Sequence, residues 1–431
     1  MRRSKVNGNA MIIFVGPSYL SRTRVVPDGR FSRFVKGSPK LNHKSIRILI
    51  HVRMTTMNEP QEPITIVEIY GGQLSSCGYC TKKDGSVRPR TSHTVGMSPL
   101  HMSCSVYKRL LDRGWRRSGD YLYKPNLKDS CCPQYTIKLD ALNFKLSKSQ
   151  RKALNKWNRF IIHGEGNTTI PTAKTPPPLV DLVHAADAAV QKSQGHKPAH
   201  RLEVTLKPSS YTDEKYQLYL KYQVSIHDDT GNTPGEFKRF LVTSAIGQEP
   251  IPYRNTSTQP AYPLPSHYGS YHQMYRVDGQ LIAIGVIDIL PGAIREATLA
   301  KEIHDAGVES MTSLYMGFYI YSCPKMRYKG EYDPSYLLDP ESYTWCPLET
   351  CTPLLDKAKY STFDKNKSDK DEMSQQDMQQ MQVVTSMSEG TIKVAPLGTQ
   401  RIWNSPRSRR QIEAVIKTFG KALRDDIILS V

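Results

Sequence analysis

Four cysteines in two pairs are the residues best suited to chemistry in this sequence. A Cys-Gly-Tyr-Cys turn runs from Cys77 to Cys80, and Cys131 is followed directly by Cys132. Such a turn holds two thiolates close enough to bind the same metal ion. A second pair can complete a four-sulfur site for zinc or an iron–sulfur cluster. The same residues also fit a redox pair beside two buried thiols. We predict that the four thiols share one metal site.

A second candidate is a cluster of cations around a tryptophan. Arg113, Arg116 and Arg117 flank Trp115 on a short segment. Guanidinium groups bind carboxylates and phosphates through paired hydrogen bonds, so the segment suits an anionic substrate. A hydrated basic turn has the same composition, and both interpretations stay open at this point.

A third candidate follows the predicted strand Leu314–Tyr321, on which tyrosines such as Tyr319 alternate with apolar residues. Lys325 and Arg327 come directly after this strand, where α/β folds place ligand sites. Tyrosines stack on bases, and cations hold phosphates or carboxylates, so the strand end is a candidate binding site. An edge strand with a hydrated tyrosine face is the alternative interpretation.

Net charge restricts the partners without identifying them. The formal charge is +19, and residues 1–54 contribute 12 Lys/Arg against one acidic residue, Asp28. A basic surface favours polyanionic partners. No apolar run approaches the roughly 20 residues that span a bilayer, so no membrane partner is expected. The 8 cysteines lack the spacing of a compact disulfide framework, which favours reduced thiols or metal ligands.

Hydrophobic periodicity predicts the elements that must position these residues, in a mixed α+β or α/β fold. The basic segment Lys148–His163 and the segment Ala293–Asp305 are predicted as helices, Leu281–Leu290 as a central buried strand and Phe237–Val242 as a strand. The predicted divisions are a disordered basic leader (1–54), a cysteine-containing domain (55–163), a linker (164–199), a second mixed-sheet domain (200–355), a disordered insert (356–390) and a helical segment packed on the second domain (391–431). The leader fits translated sequence ahead of a start at Met54 or Met57 better than it fits a transit peptide.

Longer strings of residues resemble one family. They include Arg113-Gly114-Trp115-Arg116-Arg117-Ser118-Gly119, Cys131 to Ile137, His200 to Val204, His272 to Arg276, Asp278 through Gly292, and Met316 to Gly330. Together with the Cys-Gly-Tyr-Cys turn, these strings resemble the arginyl-tRNA–protein transferases over roughly residues 64–430, without the linker and the insert.

The resemblance implies a fold, a cofactor and a reaction. It implies a small N-terminal domain in which Cys77, Cys80, Cys131 and Cys132 bind an iron–sulfur cluster or zinc, in a regulatory or structural role. It also implies a C-terminal acetyltransferase-like (GNAT) mixed-sheet domain. The implied enzyme moves arginine from Arg-tRNA to proteins with N-terminal Asp or Glu, without ATP, and so marks them for ubiquitin-dependent degradation in the N-degron pathway.

The candidate substrate-binding residues follow from this reaction, because an acidic acceptor and a tRNA both call for cations. They are Arg116, Arg117, His272, Tyr319, Lys325 and Arg327, and which of them contact the acceptor and which the tRNA is left open. No catalytic residue is assigned. We expect a cytoplasmic monomer, with the nucleus as a second compartment and mitochondrial import by residues 1–54 as the less favoured alternative.

One junction departs from the family pattern. Ile294 runs directly into Arg295-Glu296-Ala297, whereas the family carries about twenty further residues there, including a strand that would border the cleft. This departure motivates an alternative function, a catalytically dead relative that binds tRNA or degradation signals.

Overall fold

The computed structural model describes residues 64–80, 90–164, 181, 183–185, 198–227, 229–254, 264–290, 293–294, 297–365, 371–388 and 391–431. The described residues fall into two compact units. The large unit contains residues 102–122 and those from 134 to 365. The cysteine unit contains residues 64–101, 123–133 and 371–431. The predicted leader, most of the predicted linker and part of the family junction lie outside the described residues.

The described residues form fifteen strands and the ten α-helices given below, besides short 3-10- and π-helical turns. The strands are β1 (Thr65–Ser76), β2 (Arg90–His101), β3 (Arg116–Ser118), β4 (Tyr121–Pro125), β5 (Tyr135–Asp140), β6 (Leu202–Pro208), β7 (Gly269–Val277), β8 (Gln280–Ile289), β9 (Ala293–Ile294), β10 (Ser313–Tyr319), β11 (Ser335–Leu338), β12 (Trp345–Pro347), β13 (Gln382–Ser388), β14 (Thr391–Pro396) and β15 (Ile427–Ser430). The helices are α1 (Cys104–Leu111), α2 (Lys148–His163), α3 (Asp213–His227), α4 (Pro234–Phe237), α5 (Ala297–Asp305), α6 (Pro324–Arg327), α7 (Leu348–Lys357), α8 (Gln375–Gln380), α9 (Arg401–Asn404) and α10 (Pro406–Ile416). The mixed α+β prediction is confirmed.

The cysteine unit is built on a sheet in which β14, β13, β15, β1 and β2 are neighbours in that order. The C-terminal strand β15 pairs in parallel with β1, and β2 pairs antiparallel with β1. Helix α10 lies against β1 and buries Ile412, Val415 and Ile416. The C-terminal segment therefore completes the sheet of the cysteine unit, whereas the sequence predicted that it packs on the second domain.

A glycine permits the close approach of α10 to β1. Gly71 has a φ of +71°, and a Cβ on it would lie 2.1 Å from Oε1 of Gln411. The next amide, Gly72 N–H, donates to that same oxygen at 2.9 Å. A side chain at position 71 would be strained by the backbone angle and would also displace Gln411.

Two sheets form the large unit. One has the order β6-β7-β8, and α3 and α4 cover it with a core that includes Leu218, Phe237 and Met274. The other has the order β12-β11-β5-β10-β9, and every residue of its strand β10 is buried. The predicted central strand Leu281–Leu290 is found as β8, but it has only one neighbour, β7, among the strands of its sheet in the described residues.

Three local predictions differ from the structure. Residues 237–242 form the end of α4 and a short π-helical turn instead of a strand, because a Thr233–Glu236 capping box with Pro234 in the first turn starts a helix. Within the predicted disordered insert, residues 371–388 include α8 and β13. The helix predicted from Ala293 begins at Ala297, after strand β9.

Among the described residues, we find no helix that is both long enough and apolar enough to cross a membrane.

Candidate metal centre and substrate site

The four predicted cysteine ligands converge in the cysteine unit, as predicted. The Sγ atoms of Cys77, Cys80, Cys131 and Cys132 all lie within 4.8 Å of one another. Cys80 Sγ is 3.3 Å from Cys131 Sγ and 3.6 Å from Cys132 Sγ. Among the groupings of cysteine, histidine and carboxylate side chains in the described residues, this is the one with metal-binding geometry.

Strands β1 and β2 bring the two pairs together. Cys77 directly follows β1, whose last residue pairs with the first residue of β2. The loop that carries the second pair is fastened to the start of β2: Cys131 N–H donates to the carbonyl of Thr91 at 3.0 Å, and Ser130 Oγ accepts from His93 N–H at 3.0 Å. Both pairs therefore reach the same end of one hairpin.

The site stabilises sulfur in its deprotonated form at one position. The pKa of Cys77 is lowered from 9.0 to about 5, chiefly because the Cys132 thiol hydrogen-bonds to it. The same hydrogen bond raises the pKa of Cys132, and burial raises that of Cys80 to about 11. The thiolate form of Cys77 is therefore favoured, and a bound cation would favour the thiolate form at each ligand.

The donor set fits a metal ion. Four sulfurs in one small volume are the usual ligands of zinc or iron, and groups outside the set orient them. Tyr79 N–H donates to Cys77 Sγ at 3.3 Å, and the Thr91 hydroxyl donates to Cys131 Sγ at 3.1 Å. These four cysteines can hold a metal, and such hydrogen bonds would stabilise the thiolates around it.

Arg117, a predicted substrate-binding residue in the large unit, forms an ion pair inside the protein. Its guanidinium donates to both carboxylate oxygens of Asp288, at 2.9 and 2.5 Å, and to Ser270 Oγ at 3.0 Å. Arg117 and Asp288 are 6% and 8% exposed. Burial lowers the pKa of Arg117, but the Asp288 carboxylate more than offsets this, and the net shift is upward. The geometry assigns this arginine to structure.

Arg116 is also buried, at 1% exposure. Its guanidinium donates to the carbonyl of Leu111 at 3.2 Å and to that of Gly317 on β10 at 3.4 Å. It also lies over the Phe318 ring, 5.4 Å from the centroid. Arg116 therefore holds strand β10 against the segment that begins with α1, and it does not face solvent.

His272 is fully buried on β7. Its Nε2 lies 2.9 Å from the carbonyl of Leu241, and its Nδ1 lies 3.2 Å from Nζ of Lys215. Burial lowers the pKa of His272 from 6.5 to about 4, so the ring is neutral at neutral pH, with Nε2–H donating and Nδ1 accepting. A neutral, enclosed imidazole is poorly suited to binding a carboxylate.

The end of strand β10 places the other three predicted residues near one another. Lys325 and Arg327 are exposed on α6, and Arg327 lies over the Tyr321 ring, 4.7 Å from its centroid. The rings of Tyr321 and Tyr319 are 6.5 Å apart. No carboxylate of the described residues forms an ion pair with Arg327, so its guanidinium can accept a ligand.

Sequence reasoning missed two carboxylates that organise these groups. Asp288 holds Arg117, and Asp356 on α7 accepts a hydrogen bond from the Tyr321 hydroxyl. Asp288 had a signal, since a carboxylate inside the apolar run of β8 needs a buried cationic partner. Asp356 had none, because its partner lies 35 residues away.

Comparison with known proteins finds both halves of one family. The profile described as "Arginine-tRNA-protein transferase, N terminus" matches residues 75–152. The profile described as "Arginine-tRNA-protein transferase, C terminus" matches residues 214–300 and 292–339. These two segments overlap at residues 292–300, where the sequence departs from the family pattern.

Curated relatives agree with the profiles. "Arginyl-tRNA--protein transferase 1" of Drosophila melanogaster is 30% identical over 440 residues, covering 72% of this chain and 87% of the relative. "Arginyl-tRNA--protein transferase 2" of Arabidopsis thaliana is 27% identical over 478 residues, covering 69% and 78%. "Aspartate/glutamate leucyltransferase" of Polynucleobacter necessarius is 25% identical over 292 residues, covering 63% and 90%. All three are named as transferases, and the alternative of a catalytically dead relative gains no support.

Proposed function

Because the chain belongs to the arginyl-tRNA–protein transferase family, we propose that it transfers arginine from Arg-tRNA to proteins that begin with Asp or Glu. The chain is an aminoacyltransferase, and membership of the family implies Arg-tRNA and a protein as substrates. The acidic acceptor is supported by relatives that are named for aspartate and glutamate. The cellular role that follows is marking such proteins for degradation in the N-degron pathway, in the cytoplasm.

The reaction needs little beyond alignment of the two substrates. The arginyl group of Arg-tRNA is already activated as an ester. The acceptor α-amine attacks the ester carbonyl, a C–N bond forms and the ester C–O bond breaks. The ribose oxygen of the tRNA leaves as a hydroxyl, with the proton that the amine gives up. An α-amine has a pKa near 7.7–8.0, so a sizeable neutral fraction exists at neutral pH. Proximity and orientation then supply much of the acceleration, and no ATP is required.

The position of Arg327 is the observation that best supports a preference for acceptors with an N-terminal Asp or Glu. Its guanidinium is exposed and stacked on Tyr321, and no described carboxylate neutralises it. Stacking limits the rotation of the side chain, and a planar guanidinium can grip a carboxylate with two parallel hydrogen bonds. An N-terminal Asp or Glu side chain fits this group, with Lys325 as a second cation on the same turn.

The residues around the end of β10, near Arg327, are tightly packed. Tyr319 is 3% exposed, and burial raises its pKa. A Cβ on Gly330 would lie 3.3 Å from the Tyr319 ring and 2.8 Å from Leu348, so glycine allows this segment to close on the strand. We infer that the large unit has the acetyltransferase-like fold implied by the sequence, with the end of β10 as part of its cleft.

We propose a single tetrahedral ion at the cysteine site. A zinc–sulfur distance of ~2.3 Å places tetrahedral sulfurs about 3.8 Å apart, and two of the separations here are 3.3 and 3.6 Å. An iron–sulfur cluster interposes several iron and sulfide ions and needs a wider cage. Metal and acid-labile sulfide should be measured on protein purified without chelators. We expect about one zinc and no sulfide per chain, and stoichiometric iron with sulfide would overturn this assignment.

The transfer itself is tested with labelled arginine. The full chain is mixed with Arg-tRNA or with free arginine, and with an Asp-ended peptide or its α-acetylated form. We expect arginine on the α-amine of the free peptide, and only when Arg-tRNA is the donor. Absence of transfer, or equal transfer to the acetylated peptide, would refute the proposed reaction.

A further inference from the structure

Helix α2 carries a row of exposed lysines. Lys148, Lys152 and Lys156 are all exposed and spaced four residues apart, which places them on one face of the helix. Arg151 and Arg159 add two partly buried cations. No Asp or Glu occurs anywhere from residue 141 to residue 164. We call Lys148, Lys152 and Lys156 the lysine row.

The row lacks the neutralising partners found on other helices. Lys301 pairs with Asp305 at 3.0 Å on α5, and Lys417, just after α10, pairs with Glu413 at 3.7 Å. Among the described residues, no carboxylate pairs with any lysine of the row. Like charges four residues apart cost a helix a few tenths of a kcal/mol each, so the row does not stabilise α2.

Other features keep α2 folded despite this repulsion. Ser147 and Gln150 form a capping box at its start. On the opposite face, Ile161 and Trp157 pack in a cluster with Leu202. Because packing and capping account for the helix, the unneutralised charge is available to an external partner.

We propose that the lysine row binds the phosphate backbone of Arg-tRNA, an inference that rests on the proposed function. Four residues of helix rise about 6 Å, comparable to the separation of successive phosphates along an RNA strand. Lysine is a point charge that contacts phosphates without reading bases. Such contacts suit a substrate that has to be held by its backbone while its arginyl end reacts elsewhere.

Aromatic residues at the start of α2 favour RNA over an acidic protein as the occupant. Phe144, just before the helix, contacts the Tyr332 ring, with centroids 5.9 Å apart. Tyr328, which directly follows α6, is 46% exposed. Phe144 and Tyr332 are half-buried, so the exposed ring of Tyr328, next to Arg327 in the chain, is the one on which an unpaired base can stack. Tyr328 and Tyr332 both lie in the segment that directly follows Arg327.

The test compares two triple variants of the full chain. Lys148→Gln, Lys152→Gln and Lys156→Gln together remove the row, and Gln has similar helix propensity. The matched control replaces Lys393, Lys417 and Lys421, which are exposed in the cysteine unit, so the change in net charge is equal. Binding of Arg-tRNA is measured by fluorescence anisotropy as a function of salt, and KM is measured for Arg-tRNA and for the acceptor peptide.

We expect the row variant to bind Arg-tRNA about 10- to 100-fold more weakly and its salt slope to fall by about 2–3. The control should change affinity less than about threefold, and the KM of the acceptor should not move. Equal losses in both variants, no loss in either, or a rise confined to the acceptor KM would each overturn the proposal. The last result would assign the row to an acidic protein.

The experiment distinguishes an error in the lysine-row proposal from an error in the proposed function. Wild-type protein that binds no Arg-tRNA would refute both. Wild-type binding that survives loss of the row would refute the row alone. If the triple variant does not fold, the single variants decide, because each should lower the salt slope by about one and an unchanged slope in all three would overturn the proposal.

Discussion

Arg117 and Arg327 are the same residue type in the same unit, yet the structure uses them in opposite ways. Arg117 is buried and gives both of its donor edges to Asp288 and Ser270. Arg327 is exposed, stacks on Tyr321 and has no ion-pair partner among the described residues. The comparison teaches that the partner of a cation decides its role, since a guanidinium already saturated by a carboxylate has little left to offer a substrate.

Energetics support this division. An isolated charge is too costly to bury, so an interior arginine needs partners inside the protein, either a counter-ion or hydrogen-bond acceptors. A surface arginine needs none, and a ligand carboxylate can fill that place when the substrate arrives. Arg116 and His272 belong with Arg117, because both are buried and have nitrogens bonded within the protein. Lys325, which is exposed, belongs with Arg327.

Removing Arg117 should have the largest effect on the protein. Arg117→Ala leaves the Asp288 carboxylate buried and unpaired, which should lower the free energy of unfolding by about 3–5 kcal/mol. Urea denaturation checks this value. The matched control is the double variant with Arg117→Ala and Asp288→Ala. Its loss of unfolding free energy should be smaller than the sum of the losses in the two single variants, because neither charge is left unpaired. A loss below about 1 kcal/mol in Arg117→Ala would contradict the structural role of the buried arginine.

Removing Arg327 should affect turnover instead of stability. Arg327→Ala should lower kcat/KM for Asp-ended acceptors on the order of a hundredfold, because a carboxylate loses a paired contact. The urea midpoint should stay at the wild-type value, since the side chain is exposed. Arg327→Lys should recover only part of the rate, as lysine cannot form the two parallel hydrogen bonds. Wild-type turnover in Arg327→Ala would show that this cation is merely hydrated.

His272 sharpens the comparison through pH. Its folded pKa of about 4 lies below the ordinary 6.5, so the unfolded state gains the proton first as pH falls. Its contribution to stability is therefore complete above about pH 6.5 and is lost as the pH falls toward 4. Between pH 7 and 5 the loss should be about 2 kcal/mol. His272→Gln should show a correspondingly weaker pH dependence, and an unchanged dependence would argue against a neutral buried ring.

Lys325 should give the smallest effect. It is exposed and, among the described residues, has no ion-pair partner, so Lys325→Ala removes one hydrated charge beside Arg327. We expect acceptor KM to rise about two- to fivefold and kcat to stay unchanged. An effect as large as that of Arg327→Ala would mean that the roles of the two cations are exchanged.

Local patterns predicted much of the fold. Helix α2 has the predicted bounds, because capping residues mark its start and a glycine its end. The Cys-x-x-Cys turn and the adjacent pair predicted the converging sulfurs, since the spacing of ligands is itself a geometric signal. The tyrosine strand was predicted from its alternation and is found as β10.

Pairings between distant segments could not be predicted in this way. Strand β15 pairs with β1 across most of the chain, and neither strand carries a mark of its partner. For the same reason the sequence did not separate Arg117 from Arg327, because the carboxylate that distinguishes them lies 171 residues from Arg117. Exposure and partners, which decide function here, are properties of the folded chain.

Charge selectivity at the acceptor tests the central claim most directly. The wild-type chain is given Arg-tRNA and two peptides that differ only in an N-terminal Asp or Asn, which have nearly the same shape, and kcat/KM is measured for each. The proposed recognition by an unpaired guanidinium predicts a preference for Asp on the order of a hundredfold. Equal transfer of arginine to both peptides would contradict it.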